Sequence, residues 1–289
     1  VEVRPYNSNK KKNEVDENSD AYDTIDWLVH NVDNNNGNVG VFGISYMGFY
    51  ATMTLPNAHP ALKAVSPQAP VTDWFLVDDR HHNVAFFLMY SFPGSAAMGK
   101  PRNGPTRLDS KISFDYKIKD NYAFYKELGP IKNMQQKLPV PTNKFWSDFI
   151  KHPNYDSFWK TRNVLPHLKN VAPAVLVVGG WFDAEDLYGP LKTYEAIETQ
   201  NKTVENSLIM GPWFHGQWFV DEGKKLGNIN FDSNTQAYFR DVELKFFNYH
   251  LKNKGEMDLP EASIFITGAN EWKTFNAWPP LNIEKKELF

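Results

Sequence analysis

The sequence contains no cysteine among its 289 residues. Disulfides, thiolate metal sites and a cysteine nucleophile are therefore excluded, while oxidising and reducing compartments both stay open. A run of about 18 apolar residues is also absent, so no membrane-spanning helix is expected. Nor is there an excess of basic residues: the net charge is −3, and nothing in it favours binding to nucleic acid.

Apolar residues are plentiful, at 42% of the sequence, and they fall into two patterns. Short continuous apolar runs are typical of buried strands, whereas apolar residues three and four positions apart are typical of amphipathic helices. Strands are predicted at 39–43, 61–70, 172–181 and 206–213, and helices at 19–32, 49–55, 189–200 and 235–252. Ser19 is predicted to be the N-cap of the first helix. The alternation of strands and helices indicates an α/β fold with a mainly parallel sheet.

Residues 73–165 interrupt this alternation. They carry few strand signals but many aromatic residues, prolines and charges. An insertion of this kind between two core strands indicates a helical cap over the carboxyl edge of the sheet. The predicted organisation is therefore a first part of the core at 1–72, the cap at 73–165, a second part of the core at 166–255 and a further segment at 256–289.

A serine lies between two glycines in the segment GISYMG, at residues 43–48. The segment joins a predicted strand to a predicted helix, which is the setting of the G-x-S-x-G nucleophile elbow of α/β-hydrolases. Glycines there let strand and helix approach closely, while Ser45 occupies a strained turn that exposes its hydroxyl. The backbone amide of Tyr46 would then face the oxyanion of a tetrahedral intermediate. An ordinary glycine-rich turn would have the same sequence pattern. The catalytic interpretation therefore depends on whether the chain also supplies an acid and a histidine for the serine.

A serine hydroxyl needs a base, and in this fold an acid and then a histidine follow the serine, each after a later strand. Asp183 follows the strand at 172–181, in the segment GGWFDAEDLYG. His215 follows the strand at 206–213, in the segment GPWFHG. Both positions fit a triad in which Ser45 is the nucleophile, Asp183 is the acid that orients the imidazole, and His215 is the base.

These three segments resemble the serine hydrolases that include cocaine esterase, X-prolyl dipeptidyl peptidases, glutaryl and cephalosporin acylases, and α-amino acid ester hydrolases. The resemblance covers residues 1–280 or so. It implies an α/β-hydrolase core, a helical cap and a carboxy-terminal β jelly roll that would start in the segment 256–289. It also implies the same roles for Ser45, Asp183 and His215. In these relatives further strands, and a tyrosine that completes the oxyanion hole, precede the matched region, so the chain is expected to be an internal piece of a longer protein.

Two acids, Glu185 and Asp186, closely follow Asp183, and Asp79 lies at the start of the predicted cap. Clustered carboxylates attract a cation, although solvated surface acids would look the same in a sequence. In the α-amino acid ester hydrolases, which the chain resembles here too, ammonium-binding carboxylates match Asp79, Glu185 and Asp186. The resemblance therefore implies a substrate that carries an α-amino group next to its ester or amide, such as the side chain of a β-lactam antibiotic.

The implied reaction is acyl transfer through a serine-bound acyl-enzyme, which requires neither a metal nor an organic cofactor. The implied partner is a small-molecule α-amino acyl ester or amide, with no nucleic acid and no membrane span. Two alternatives stay open: an X-prolyl dipeptidyl peptidase that captures a peptide amino terminus with the same acids, and a catalytically inactive hydrolase-like binding domain. Relatives are often oligomeric or exported. The resemblance slightly favours an exported or periplasmic location over a cytoplasmic one, and it leaves open whether the protein forms a homo-oligomer.

Overall fold

The computed structural model describes residues 4, 6–11, 14–77, 80–82, 85–98, 114–138, 143–284 and 286–287. The strands are β1 (Val39–Ile44), β2 (Leu62–Gln68), β3 (His81–His82), β4 (Ala85–Phe86), β5 (Ala174–Gly180), β6 (Asn206–Gly211), β7 (Lys225–Leu226), β8 (Ile229–Asn230), β9 (Ala262–Ile266) and β10 (Glu271–Phe275). The α-helices are α1 (Glu17–Asn31), α2 (Tyr46–Met53), α3 (Leu88–Met98), α4 (Asn121–Leu128), α5 (Lys144–Lys151), α6 (Ser157–Lys160), α7 (Tyr188–Gln200), α8 (Gln217–Val220) and α9 (Thr235–Lys252). Short 3₁₀-helices occupy Ile131–Lys137 and Leu165–His167. None of the helices in the described ranges combines the length and the apolar character needed to cross a bilayer.

The main sheet of the described part of the chain has six strands, in the order β1-β2-β5-β6-β9-β10. The first five strands run parallel, and β10 pairs antiparallel with β9. The sheet is therefore mainly parallel, as predicted. Because parallel strands end at the same edge, the segments that follow β1, β2, β5 and β6 meet there.

Both faces of the sheet are buried, because neighbouring residues of one strand pack against different layers. Val175 and Val177 of β5 belong to the core cluster that includes α2 and α7, whereas Leu176 and Val178 pack with α8 and α9. All four side chains are fully buried. Burial of such a side chain stabilises the fold by roughly 1.5–3 kcal/mol, so this central strand anchors the whole sheet.

The first helix begins before its predicted N-cap. α1 starts at Glu17 with Asp16 as the N-cap, and the backbone amide of Ser19 donates to the Asp16 carboxylate at 2.8 Å. Ser19 is the third residue of the helix, where its hydroxyl accepts from the Asp16 amide and completes a capping box. The prediction of Ser19 as the N-cap is therefore wrong, because an aspartate three residues earlier binds the orphan amide first.

The strand β1 is more exposed than its apolar run suggests. Within the described residues it pairs with β2 at the edge of the sheet, and Phe42 is 59% exposed. A short apolar run is consistent with a buried strand, but it does not show which neighbours cover each face. The prediction of a buried strand at 39–43 is therefore only partly correct.

The described residues between β2 and β5 form several short helices and one short two-stranded hairpin, β3-β4. Helix α5 of this segment buries Phe145 and Phe149, and the Phe145 ring meets Trp74 edge-on with the ring centres 5.9 Å apart. The Trp74 ring lies 5.3 Å from the ring of Tyr46, at the start of α2. The aromatic residues of this segment thus form a core that packs against the predicted elbow.

Both ends of this helical segment leave the sheet at one place. Asp73 and Asn163 form an isolated antiparallel bridge, and the Val164 amide donates to the Thr72 carbonyl at 3.1 Å. These four residues make a narrow neck between the segment and the sheet. The boundaries predicted for the cap and the other domains stay predictions. At the far end of the chain, β9 and β10 extend the main sheet.

Candidate active site

Ser45 occupies the turn between β1 and α2. Its backbone has φ 65° and ψ −122°, and a residue with a β-carbon adopts such a conformation at a cost of about 1–3 kcal/mol. Two hydrogen bonds hold the turn: the Ser45 amide donates to the Gln68 carbonyl, and the Ser45 carbonyl accepts from the Phe49 amide, both at 2.9 Å. This is the strained strand-to-helix geometry in which an elbow presents a nucleophile.

The two glycines beside Ser45 are required by close contacts. A β-carbon on Gly43 would lie 2.4 Å from the Met47 carbonyl oxygen, and one on Gly48 would lie 2.6 Å from the Gln68 carbonyl oxygen. In the G-x-S-x-G pattern the second glycine lies two residues after the serine, but here Gly48 lies three residues after Ser45. The position two residues after Ser45 is Met47, which is 61% exposed. The strict pattern is wrong here, because the close approach to β2 falls one residue later in the helix.

The backbone amide of Tyr46 is the predicted oxyanion donor. Tyr46 is the first residue of α2, where a helix leaves its amides without intrahelical partners. Its side chain turns toward the aromatic core, where its hydroxyl accepts a hydrogen bond from Tyr50 at 3.2 Å. Tyr6 and Tyr22 precede the elbow in the chain, but the Tyr6 hydroxyl accepts from Asn57 and Tyr22 packs on His59. Neither contact is with the elbow.

Asp183 and His215 are in direct contact. Asp183 follows β5, its side chain is buried, and its Oδ2 accepts a hydrogen bond from Nδ1 of His215 at 2.8 Å. Its Oδ1 accepts from the backbone amides of Glu185 and Asp186 at 2.8 and 2.9 Å. Because an ionised carboxylate only accepts hydrogen bonds, a proton of the imidazole lies on Nδ1. Nε2 is the nitrogen left to exchange a proton.

The loop that carries His215 folds back from β6 toward β1. A β-carbon on the neighbouring Gly216 would lie 3.8 Å from Cγ2 of Ile44, the residue before Ser45. The candidate base and the candidate nucleophile therefore share one edge of the sheet. Within the described residues no hydrogen bond joins their side chains. Catalytic hydrogen bonds in apo enzymes are often long and tighten when substrate is bound.

Three carboxylates surround the imidazole of His215. Burial lowers its pKa, but the hydrogen bond to Asp183 and the charges of Asp183, Glu185 and Asp186 outweigh burial and raise the pKa to about 9. Glu185 Oε2 lies 3.5 Å from Nε2, the nitrogen that a triad turns toward its serine. At neutral pH the imidazole is therefore mostly charged.

Two of the three predicted ammonium-binding acids can be placed. Asp186 is buried and Glu185 is 35% exposed, whereas Asp79 lies outside the described residues. Glu185, Asp186 and His215 each offer one ligand atom, and these atoms lie within 4.8 Å of one another, so the three residues could hold a metal ion. The negative charges of these carboxylates favour the binding of a positively charged group in this part of the site.

Gln68 has contacts with both sides of the site that the sequence patterns do not predict. Its carbonyl accepts from the Ser45 amide, and its side-chain Oε1 accepts from Nε1 of Trp218 at 2.8 Å. A signal for it exists in the sequence: Ser66 and Gln68 are polar residues in the second half of a predicted buried strand. A polar residue in a strand that is covered on both faces requires a specific partner.

Comparisons with known proteins identify the family and the fold. A family model described as X-Pro dipeptidyl-peptidase (S15 family) matches residues 9–217. Cocaine esterase from Rhodococcus sp. is 24% identical over 280 residues, which make up 92% of this chain and 46% of that protein. An aminopeptidase from the marine sediment archaeon Thaumarchaeota archaeon has a TM-score of 0.82 and 34% identity, over 96% of this chain and 45% of that structure. An α-amino acid ester hydrolase has a TM-score of 0.82 and 33% identity, over 96% of this chain and 44% of that structure.

These similarities confirm the family resemblance and the α/β-hydrolase fold. The chain spans slightly less than half the length of each of these three relatives. The family model covers most of the chain, from before α1 to the residue after Gly216. The chain therefore belongs to the S15 family of α/β-hydrolases, the family of the X-Pro dipeptidyl-peptidases.

Proposed function

We propose that the chain carries the catalytic site of a serine hydrolase that cleaves esters or amides of α-amino acids through an acyl-enzyme. The observation that carries the proposal is the 2.8 Å hydrogen bond between the buried Asp183 and His215, at the sheet edge where Ser45 holds a strained turn. An oriented imidazole at the same edge as a serine hydroxyl is the arrangement that makes serine nucleophilic. Similarity to an α-amino acid ester hydrolase supports the choice of substrate.

In the proposed reaction, His215 Nε2 takes the proton of the Ser45 hydroxyl while Oγ attacks the acyl carbonyl. The Tyr46 amide donates to the oxyanion of the tetrahedral intermediate. His215 then gives the proton to the leaving alcohol or amine, and the acyl group stays on Ser45. Water attacks the acyl-enzyme with His215 again as the base, and the free acid is released. Asp183 keeps the imidazole in one tautomer throughout.

The α-ammonium group of the substrate would bind Glu185, Asp186 and Asp79. Hydrogen bonds to charged groups stabilise a complex by about 1.5–3 kcal/mol each. A bound cation also opposes the negative field that raises the pKa of His215. Its arrival therefore lowers that pKa toward the range in which the imidazole can accept the serine proton. The ammonium charge that the carboxylates recognise thus also lowers the pKa of His215 and favours the imidazole as a base.

The nucleophile is tested by covalent labelling of the full-length protein with a fluorophosphonate. We expect the wild-type protein to be labelled at Ser45 and Ser45→Ala to be unlabelled. Ser147→Ala, a serine of α5 in the helical segment, is the matched control and should label like the wild type. Labelling that persists in Ser45→Ala would reject the triad, and a wild-type protein that does not label would favour an inactive binding domain.

Recognition of the ammonium group is tested with a matched pair of esters, one with an α-amino group and one without. Asp79→Asn and Glu185→Gln should raise KM for the α-amino ester roughly tenfold or more, since each removes a charged hydrogen-bond partner. The desamino ester should not show this loss of binding. Glu195→Gln, at an exposed residue that pairs with Lys192 on α7, is the control. Equal loss with both esters would count against ammonium binding.

A dipeptidyl peptidase is the second candidate, and the S15 family model favours it. The same carboxylates could bind the amino terminus of a peptide, and the same triad would then cleave an X-Pro amide. The two functions are separated by comparing kcat/KM for an X-Pro anilide with kcat/KM for an α-amino acid ester. A preference for the anilide would assign the peptidase function in place of the ester hydrolase.

A further inference from the structure

A buried glutamine joins the turn of the candidate nucleophile to the loop of the candidate base. Gln68 is the last residue of β2 and is 2% exposed. Its main chain accepts the hydrogen bond from the Ser45 amide at 2.9 Å. Its side chain accepts the hydrogen bond from the indole of Trp218 at 2.8 Å, and Trp218 lies three residues after His215. One residue therefore contacts both segments.

The orientation of the Gln68 amide follows from its partners. An indole nitrogen can only donate, so Oε1 must face Trp218 and Nε2 must face the other way. There Nε2 donates to Glu243 Oε1 at 2.6 Å and to Ser66 Oγ at 3.2 Å. Both ends of this buried amide therefore have suitable partners: its oxygen accepts from an indole, and its nitrogen donates to a carboxylate and to a hydroxyl. A Gln side chain buried without them would cost stability, so the position is specified by its partners and not by volume alone.

The loop of His215 gains a defined position from this contact. Trp218 is 1% exposed and belongs to α8, the short helix that begins directly after Gly216. Asp183 fixes the rotation of the imidazole through Nδ1, but that bond alone leaves the loop free to move relative to β1. The indole of Trp218 adds a hydrogen bond between this loop and Gln68, the residue whose carbonyl accepts from the Ser45 amide.

We propose that Gln68 is a positioning residue, which through Trp218 sets the distance between Nε2 of His215 and Oγ of Ser45. This inference rests on the proposed function, since it assigns His215 and Ser45 their catalytic roles. It adds a residue that touches neither the substrate nor the reacting atoms. Displacement of a catalytic group by about 1 Å can cost a reaction about 100-fold in rate, so the loss of this contact should be visible in kcat.

The experiment compares variants of the full-length protein in ester hydrolysis and in fluorophosphonate labelling. Trp218→Phe keeps a buried ring but removes the donor to Gln68. Gln68→Met keeps the length of the side chain but removes the acceptor. Each is expected to lower kcat and the labelling rate about 10- to 100-fold, with KM changed less than about twofold. The double variant should lose no more than Gln68→Met alone, because Trp218→Phe removes a contact that Gln68→Met has already removed.

Two controls separate positioning from a general loss of structure. Trp159→Phe makes the same substitution at a buried tryptophan of the helical segment, where the indole donates to the His152 carbonyl, and it should keep kcat and the labelling rate. Gln68→Glu combined with Glu243→Gln exchanges donor and acceptor across that hydrogen bond while leaving an acceptor for Trp218. This exchange should recover most of the rate that Gln68→Met loses, which a merely space-filling role would not predict.

The outcomes distinguish the two proposals. Wild-type labelling at Ser45 together with an unchanged kcat in Trp218→Phe would overturn the positioning role and leave the triad intact. The positioning role would also be overturned if kcat falls together with the melting temperature, and by the same amount, in Trp218→Phe and Trp159→Phe. If the wild-type protein is not labelled at Ser45, the proposed function fails and the positioning role fails with it.

Discussion

The imidazole of His215 lies between a carboxylate that accepts from Nδ1 and a carboxylate 3.5 Å from Nε2. The first, Asp183, is what a triad requires, because it selects the tautomer. The second, Glu185, stabilises a proton on Nε2, the nitrogen that acts as the base in the proposed reaction. Glu185 therefore opposes the proposed reaction unless a positive charge is bound next to it.

The pH dependence of hydrolysis of an uncharged ester should show this opposition. Because the pKa of His215 is raised to about 9 and only the deprotonated imidazole accepts a proton, kcat/KM should rise with pH and level off above about 9. Glu185→Gln removes one of the charges that raise this pKa. The midpoint of the profile should therefore move to lower pH, and kcat/KM at pH 7 should increase.

Glu195→Gln is the control for this pH profile, since it removes an equivalent charge on α7 from a residue paired with Lys192. Its midpoint should stay with that of the wild type. A Glu185→Gln profile that coincides with the wild type would contradict the role given to Glu185. The sequence places Glu185 near the acid, but its contact with Nε2 depends on how two loops fold against each other, so no local pattern could predict it.

The helix that follows Ser45 packs so closely on β2 that it leaves no space for a side chain at Gly48. A β-carbon there would meet backbone atoms, at 2.6 Å from the Gln68 carbonyl oxygen and 2.9 Å from Cα of Pro70. Backbone atoms in a buried strand end cannot move aside cheaply. The elbow therefore depends on the exact separation of one helix and one strand.

Gly48→Ala should lower the free energy of unfolding by about 1–3 kcal/mol, the usual cost of overpacking, and should reduce labelling of Ser45. Gly94→Ala is the matched control in the helix α3, where a β-carbon would come no closer than 3.6 Å to the Arg80 guanidinium. It should stabilise the protein by about 0.5–1 kcal/mol. Thermal or denaturant unfolding measures both. Equal stability of Gly48→Ala and the wild type would show that helix and strand can separate.

Elements with strong periodicity could be predicted well from the sequence. The helix at 235–252 has the bounds of α9, and the strand within 172–181 is β5, because their apolar spacing agrees with the layers that bury them. The strained turn at Ser45 and the meeting of Asp183 with His215 at one sheet edge are also consistent with their order along the chain, whereas their catalytic roles stay predictions. The contact of Gln68 with Trp218 could not be predicted, because it joins residues 150 positions apart in the sequence.

Across the whole molecule, protection from solvent is uneven. Every residue of β5 is buried, and this strand has partners on both sides, whereas β1 lies at the edge of the described sheet with Phe42 59% exposed. Local opening is easiest where few buried contacts must be broken. Among the described residues, the strand before Ser45 therefore has fewer buried contacts than the strand before Asp183.

Hydrogen exchange of this 289-residue chain should reveal the difference. Amides of residues 174–180 are expected to exchange most slowly, close to the rate of global unfolding, and those of residues 39–44 more quickly. Mass spectrometry of peptides from the two strands measures both in one sample. Equal protection of the two strands would show that β1 opens only with the whole sheet.

The neck formed by Thr72, Asp73, Asn163 and Val164 has a consequence for how members of this family can diversify. Because the helical segment enters and leaves at one point, a chimera that exchanges it between relatives must keep this pair of junctions and the packing of Trp74 on Tyr46. Such a chimera would also exchange Asp79, one of the proposed ammonium-binding residues, and would therefore test whether the segment selects the substrate.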